Sequence, residues 1–451
     1  MRAGFDPKPL ITTVFVPSAI FGIGQGAGAP VLALLARELG ASVPVAGVIV
    51  ALVALGAVIG DLPAGSIVAR LGERRAIIAG TALGTVGVLV SVTAWTAAVL
   101  AVGALLTGFA NAVWGLARQS YLAEAVPIER RARAMAAFAT MWRLGFFLGP
   151  FLGAGVIHFV GVRGGLAVQV VGVVLSGVLM ARAPDTGRRA GSGTAGPGAH
   201  VSLGTILRRH RRLLGTLGAG SLLMGAARAS REAVLPLWAS HIGLDAATVS
   251  IVFGIGGAVD MLCSYPAGQL MDRFGRRAVA VPSLLVIGTA FLILPVADDL
   301  ASLAAVAVVL GIGNGLGNGV IMTLGADTAP PATRAEFLAA WRLTHDTGMF
   351  AGPFAVGAVA TVSLAAGALT VGGLALLGAA CMFRFVPRYS PWPRRTLEPV
   401  APAEPAPPAA PAEPAPNTVT STLGPACASD CSSPRAGDWT SSASIPPTSG
   451  R

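Results

Sequence analysis

The chain is written twice. Pro63-Ala64-Gly65 followed by Arg70-Leu71-Gly72-Glu73-Arg74 returns as Pro266-Ala267-Gly268 followed by Arg273-Phe274-Gly275-Arg276-Arg277. Each residue stands 203 positions from its mate (266 − 63, 275 − 72, 277 − 74). The same offset, without a gap, pairs Gly40 with Gly243, Gly108 with Gly311, Asn111 with Asn314, Pro127 with Pro330 and Arg131 with Arg334. It continues through Gly145 with Gly348 and Gly149-Pro150 with Gly352-Pro353. A period this long marks a duplicated domain, since solenoids repeat every 20 to 50 residues or so. Two alike halves must therefore take up the same fold and share an interface.

Composition decides what kind of domain was duplicated. Mean hydropathy is +0.71 and only 12% of the residues are charged, which excludes an ordinary soluble globular chain. The apolar residues run in continuous stretches of about twenty, the length of a membrane-crossing helix. They do not alternate over about ten positions, as the strands of an outer-membrane barrel do. The 59 glycines agree, because lipid gives apolar helices no drive to associate and small residues let backbones approach. The net charge of +11 is spread through short loops, so no nucleic-acid partner is expected. Cys263, Cys381, Cys427 and Cys431 form no disulfide framework, and no histidine accompanies the last two to make a metal site. No GxxxxGK[ST] loop is present for direct use of ATP, and no cofactor is expected. No nucleophile–base or carboxylate constellation stands among the apolar runs, which argues against an enzyme.

Apolar runs between charged or turn-forming loops predict twelve helices, near 11–36, 44–69, 76–95, 98–124, 133–158, 163–182, 213–239, 246–271, 278–297, 301–326, 335–360 and 363–386. The first follows Arg2 and Lys8 but is longer than the roughly 7–15 residues of a signal-peptide core, so it is read as a retained span. Basic residues set the orientation. Arg70, Arg74 and Arg75, then Arg130, Arg131 and Arg133, then Arg273, Arg276 and Arg277 all follow even-numbered helices. The odd-numbered helices are followed by only Arg37 and Arg163, beside Asp245, Asp298 and Asp299. Both termini are thereby expected in the cytoplasm. The division that results is a first six-helix bundle over 1–183, a cytoplasmic linker over 184–212, a second bundle over 213–386, and a disordered cytoplasmic tail over 387–451. The linker contains a Gly/Ser-rich stretch and, over 203–214, a short amphipathic helix suited to an anionic membrane surface. The tail is rich in Pro, Ala, Ser and Thr, a composition that cannot build a core.

The loop Gly65-x4-Arg70-x-Gly72-x-Arg74-Arg75 resembles the signature loop of the major facilitator superfamily. Its second copy, Gly268-x3-Asp272-Arg273-x-Gly275-Arg276-Arg277, matches that signature in full, whereas the first copy has Ala69 where the acid belongs. The resemblance covers about 11 to 386. It implies a twelve-helix transporter whose halves rock about a central site, with Asp272 closing a charge network that holds the inner side shut. The fifth helix carries Gly145-x3-Gly149-Pro150-x2-Gly153, similar to a motif of the drug:proton antiporter branch. Glycines four apart give a smooth face for a close-packed neighbour, and proline permits a bend. The arginine which that branch places midway along the fourth helix is absent: Thr107-Gly108-Phe109 stands there, and Arg118 lies nearer one end.

Ionisable residues at helix depth are costly and therefore informative. Those here are Asp61, Arg118, Arg143, Arg228, Arg231, Glu232, Asp260, Arg342 and Asp346. In the fold that the resemblance implies, the second helix packs near the eleventh and the fifth near the eighth. Comparing depths through the repeat then predicts two ion pairs between the halves, Asp61 with Arg342 and Asp260 with Arg143. Arg342 and Asp346 are four apart on one face and can also pair with each other. Asp260 and Asp346 are the proton-coupling candidates, since a carboxyl in a dry site can bind protons near neutral pH. On the seventh helix, Arg228 and Glu232 sit at i and i+4 as a self-neutralising pair. Arg231 is left over, free for an anionic substrate or for a protein carboxylate such as Asp260. The matching segment of the first helix holds Gln25, so Gln25, Arg228, Arg231 and Glu232 are taken as the substrate cavity.

The expectation as a whole is an all-α membrane protein of two pseudo-symmetric six-helix bundles. It would act as a monomer in the cell membrane, with protons driving export of a small organic molecule. An uptake symporter or facilitator would share the topology, and a non-transporting receptor would keep the fold without needing the charges. The orientation predicts that reporter enzymes fused at either end of the chain are active only on the cytoplasmic side; activity of the two on opposite sides would contradict the even number of spans.

Overall fold

The computed structural model describes residues 11–126, 128–182, 203–330 and 333–390. The Gly/Ser-rich part of the linker and nearly all of the expected tail, with Cys427 and Cys431, lie outside them. Among the described residues there are twelve long helices and no strand. The first six are α1 (Ile11–Glu38), α2 (Val43–Leu71), α3 (Glu73–Val92), α4 (Ala97–Ala125), α5 (Ile128–Val160) and α6 (Arg163–Ala181). The second six are α7 (Ala219–His241), α8 (Ala246–Phe274), α9 (Arg277–Val296), α10 (Leu300–Thr328), α11 (Arg334–Val359) and α12 (Leu364–Tyr389).

Helix starts follow local chemistry. Asp245 accepts from the amides of Ala247 and Thr248 at the head of α8, and the Thr248 hydroxyl and amide hold its carboxyl below the usual carboxylate range. Asp299 and Ser302 form a reciprocal capping box at the head of α10. α2 and α8 both stop at a glycine in the left-handed region, Gly72 at φ 77° and Gly275 at φ 86°. Only glycine adopts that turn without strain, which is why the signature loop needs one there.

Helix ends shift by up to six residues from the sequence reading, and three features have a clear local cause. α12 runs to Tyr389, past the expected end at 386, because buried Val386 and the Tyr389 hydroxyl, 3.2 Å from Thr216 Oγ1, hold its last turn. α10 is broken at 317–319, where Gly319 has φ 82°, although its apolar run reads as one span. The short helix Leu203–Arg209 forms, but Ile206 is buried and the His210 ring packs 5.2 Å from Phe337 of α11. Ile206 is therefore covered by protein, while Leu207 stays exposed.

Ten of the twelve helices are long and apolar enough to cross a membrane. The other two, α7 and α11, carry Arg228, Arg231 and Glu232, and Arg342 and Asp346. α1 and its repeat mate α7 are also the most enclosed, with most of their length buried in protein. Charge is tolerated where neighbouring helices shield it from lipid.

Packing repeats as faithfully as the sequence. α1 packs on α5 and α6, α4 on α2 and α3, and α3 on α6. In the second half α7 packs on α11 and α12, α10 on α8 and α9, and α9 on α12. The halves meet chiefly through α2 with α11 and α5 with α8, which the duplication also interchanges. The match extends to single atoms. A side chain on Gly145 would strike the Ala19 carbonyl, and one on Gly348 the Leu222 carbonyl. Gly149 faces the Ile23 carbonyl as Gly352 faces that of Ala226, and Gly22 faces Trp142 as Gly225 faces His345. Every member of these contacts is 203 residues from its counterpart. Gly153 completes the seam against Ala27. The α5 motif thus forms the close α1–α5 contact inside one half.

At the end away from Gly72 and Gly275 the halves touch directly. Gly47 early in α2 abuts Gly357 late in α11, and Gly254 early in α8 abuts the Phe151 ring late in α5. We predict that Gly149→Leu lowers the melting temperature of the purified protein by several degrees, since overpacking a tight contact costs about 1–3 kcal/mol. Gly155→Leu, where nothing lies within 4 Å, should leave it unchanged; equal effects would contradict the seam.

Candidate functional site

Midway along α7, Arg228 reaches across to the break in α10. Its Nε donates to Asn314 Oδ1 at 2.8 Å, Nη2 to Asn318 Oδ1 at 2.5 Å, and Nη1 to the Gly317 carbonyl at 3.2 Å. The same two asparagines turn their amide nitrogens to Asp260 of α8. Asn314 Nδ2 donates to Oδ2 at 2.6 Å, and Asn318 Nδ2 to Oδ1 at 2.7 Å and to Ser264 Oγ at 2.7 Å. The result is a closed ring, Arg228–Asn314–Asp260–Asn318, in which a cation and an anion are bridged twice by neutral amides. Each amide uses its acceptor end for the guanidinium and its donor end for the carboxylate. Asn314 and Asn318 stand four residues apart on one side of α10, and the break there offers Arg228 the Gly317 backbone carbonyl as well.

The first half contains the uncharged counterpart. Gln25 and Asn111, the repeat mates of Arg228 and Asn314, bond to each other at 3.3 and 3.4 Å. The mates of Asp260 and Asn318 are Ala57 and Gly115. Duplication therefore kept a polar link between the first and fourth helix of each half, and charge stands in one of them.

Arg231 lies three residues on from Arg228, nearly one turn along α7. Its side chain is 9% exposed, and Nη1 forms a loose ion pair with Asp260 Oδ2 at 3.8 Å, the protein carboxylate the sequence offered it, at a separation too long for a hydrogen bond. Nε and Nη1 are buried without a hydrogen-bond partner, and the guanidinium stands 5.4 Å from the centre of the Phe253 ring. Phe253 in turn faces Phe146 of α5 at 6.4 Å, so the site looks onto the first half. Two expected pairs are not formed here. Arg228 turns to α10, which offers it three acceptors, and Glu232 makes no ion pair among the described residues. Arg143 does not come within ion-pair distance of Asp260, whose oxygens are occupied by the asparagines. It stays close enough for its charge and that of Asp260 to act on each other.

Across the α2–α11 boundary, Arg342 stands between two carboxylates. Its Nη2 is 3.7 Å from Asp61 Oδ2 in the other half, and its Nε is 3.3 Å from Asp346 Oδ2 one turn along its own helix. The Arg342 side chain is 58% exposed, so this pair is weaker than a buried one. His345 Nδ1 donates to the Ser221 carbonyl at 3.1 Å, tying α11 to α7.

The signature loops bind their own halves. Arg74 donates twice to the Ala181 carbonyl at the end of α6, at 3.0 and 2.7 Å. Its mate Arg277 stacks 3.7 Å over the Phe383 ring of α12. Gly65 and Gly268 have open space around them. Asp272 is exposed and makes no ion pair among the described residues, contrary to the network expected of it. Among the described residues at this end, Arg276 pairs with Asp327 of α10 at 2.8 Å, since Arg276 is buried while Asp272 is exposed. Arg70 and Arg273 are exposed, the latter beside the Phe274 ring.

Sequence reasoning missed Asn314 and Asn318 as site residues, along with Ser264, Arg276 and Asp327. The signal for Asn314 was present, since it keeps its mate Asn111 inside an otherwise apolar run. Arg118 is 5% exposed, with its guanidinium 4.0 Å from the Trp114 ring and 4.1 Å from the Phe138 ring. A crevice of about 420 Å³ between α2, α4 and α11, lined by residues such as Ile49, Leu52 and Phe354, is almost wholly apolar and contains none of these charges.

The ring predicts an asymmetry between the halves. Asn314→Ala strips a partner from both Arg228 and Asp260 and should destabilise the protein by about 3 kcal/mol. Asn111→Ala breaks a neutral pair and should cost about 1 kcal/mol. Thermal unfolding in detergent measures both, and the reverse order would refute the ring.

Comparison with known proteins agrees with this geometry. The family model described as Major Facilitator Superfamily matches residues 14–262 and 217–416. The uncharacterized MFS-type transporter YddS of Bacillus subtilis (strain 168) is 28% identical over 344 residues, covering 72% of this chain and 78% of its own. The uncharacterized MFS-type transporter MJ1560 of Methanocaldococcus jannaschii is 21% identical over 350 residues, covering 75% and 88%. Among solved structures, the nucleoside transporter NupG superposes with a TM-score of 0.68 at 15% identity, covering 83% of this chain and 99% of that one. The D-xylose-proton symporter does so at 0.64 and 17%, covering 85% and 98%. Two duplicated six-helix halves, a charged ring within the membrane and these likenesses lead to one conclusion: the chain belongs to the Major Facilitator Superfamily and is a multi-pass membrane transporter.

Proposed function

We propose that the chain is a secondary active transporter of the cell membrane that works by alternating access, coupling entry of protons to export of a small organic molecule. It acts as a monomer with both ends in the cytoplasm. The observation that carries this reading is the position of Arg342 between Asp61 of one half and Asp346 of its own. A guanidinium shared in this way can release the other half and remain paired, so the α2–α11 boundary can part at low cost. Protonation of Asp346 would hand Arg342 wholly to Asp61, and loss of that proton would draw it back. A proton can thus bias which end of the molecule is closed.

The ring around Asp260 is the second support. It stands midway along α7, α8 and α10, beside a break in a helix, where transporters of this architecture bind cargo and coupling ions. Asp260 and Asp346 are the coupling carboxyls in this reading. Gln25, Arg228, Arg231 and Glu232 contribute to the cavity, and Arg143 acts on Asp260 through its field. Support for export over uptake comes from the α5 glycine–proline motif.

Reconstitution in proteoliposomes tests the proposal. An imposed pH gradient should drive flux by the wild type, and Asp346→Asn should abolish that drive while leaving exchange of cargo for cargo intact. Inverted vesicles should accumulate the cargo when acidified inside. Full pH-driven flux by Asp346→Asn would contradict the coupling assignment, and accumulation only by right-side-out vesicles would contradict export.

A further inference from the structure

The charged groups beside the ring do not balance. Arg228 and Asp260 neutralise each other through Asn314 and Asn318, and every nitrogen of the one and oxygen of the other has a hydrogen-bond partner in the protein. Arg231 and Glu232 share the helix of Arg228, and Arg143 of α5 is near enough for its charge to act on Asp260 and Arg228, which leaves one positive charge in excess. Arg231 is the group whose bonding is incomplete. Its Nε and Nη1 are buried with no hydrogen-bond partner. These nitrogens lie on different edges of the guanidinium plane, so the protein completes neither of its two-nitrogen forks.

The nearby carboxylates are poorly placed to finish the task. Asp260 Oδ2 is 3.8 Å away and already accepts from Asn314 at 2.6 Å. Glu232 is the next residue on the helix, about 100° around its axis, and makes no ion pair with Arg231. With only a loose ion pair to Asp260, a buried guanidinium with two unbonded nitrogens is unfavourable until they find an acceptor. The rings of Phe253 and Phe146 form an apolar wall beside it, suited to the body of an organic molecule with its anionic end on the arginine.

We infer that the transported molecule is an organic carboxylate whose anionic end is received by Arg231 against the Phe253 ring. The inference rests on the reading of this site as the cargo site. A carboxylate fits the planar fork of a guanidinium and cancels the excess charge. A cation would be repelled by Arg231, and a neutral sugar would leave the excess unbalanced.

The test is equilibrium binding to the purified full-length protein in lipid nanodiscs, followed by tryptophan fluorescence and thermal shift. The probes are acetate, benzoate and 2-naphthoate, each with the amide and the amine of the same skeleton, up to about 10 mM. The carboxylates should bind, tightening with apolar size, and the amides and amines should not. Arg231→Gln should lose benzoate affinity by about tenfold or more, with Arg231→Lys recovering part of the loss. The comparison among probes uses the wild type alone, so it stands even if a variant fails to fold. Equal binding of benzamide or benzylamine, no response to any carboxylate, or unchanged benzoate affinity in folded Arg231→Gln would overturn the inference. Carboxylate binding without pH-driven flux would instead sink the reading as a proton-coupled transporter, whereas pH-driven flux of neutral or cationic compounds without carboxylate binding would sink this inference alone.

Discussion

Within one half of a membrane protein, a buried guanidinium and a buried carboxylate would ordinarily pair directly. Here Arg228 and Asp260 are held apart by two asparagines, each bonded to both, and the rest of the site depends on that separation. A direct pair would leave the asparagines unsatisfied inside the membrane and would close the space between α7, α8 and α10. With the amides interposed, the charges remain neutralised at a distance. Asp260, held by the asparagines, then meets Arg231 only as a loose ion pair at 3.8 Å, and Arg231 keeps two nitrogens without a hydrogen bond beside the other half. The break in α10 belongs to the same arrangement, since it presents the Gly317 carbonyl to Arg228 beside the two asparagines.

The duplication shows how such a site is built. Close contacts between α1 and α5 recur atom for atom between α7 and α11, because backbones this near admit only glycine and any change would separate the helices. The polar link at mid-depth was free to diverge. In the first half it is Gln25 with Asn111. In the second it is Arg228 with Asn314, enlarged by Asp260 where the first half has Ala57 and by Arg231 where it has Gly28. A side chain at Gly28 would collide with Gln169 of α6, so in the first half a neutral amide fills the place that a guanidinium takes in the second. The scaffold is symmetric and the charge is not.

What could be read from the sequence was whatever depends on long-range regularity. Twelve spans, the two halves and the contacts of α2 with α11 and α5 with α8 follow from apolar length, from the 203-residue offset and from the family resemblance. The placement of Asp61 and Asp346 around Arg342 was legible because helix geometry and repeat depth both fix it. The ring was not. In Gly311-x-Gly313-Asn314-Gly315-Leu316-Gly317-Asn318-Gly319, glycines at helical spacing read as a packing face, and nothing local declares that Gly319 will take a left-handed turn. The i to i+4 spacing of Arg228 and Glu232 is equally compatible with pairing and with divergence, and the acceptors offered by α10 decide the matter. Arg276 and Asp327 were hidden for a similar reason, since the loop motif gives arginines without telling which of them faces inward.

The central claim is that the halves close alternately at either end of the molecule. It is tested most directly by distances between spin labels on a background with the native cysteines replaced. One pair, at Val45 of α2 and Thr361 just beyond α11, spans the end that is closed in this structure. The other, at Ser66 of α2 and Ala339 of α11, spans the opposite end. Measured in nanodiscs at acid and alkaline pH, each pair should show two distance populations, with one lengthening as the other shortens when the pH changes. A single distance at both pairs, unmoved by pH, would contradict the account.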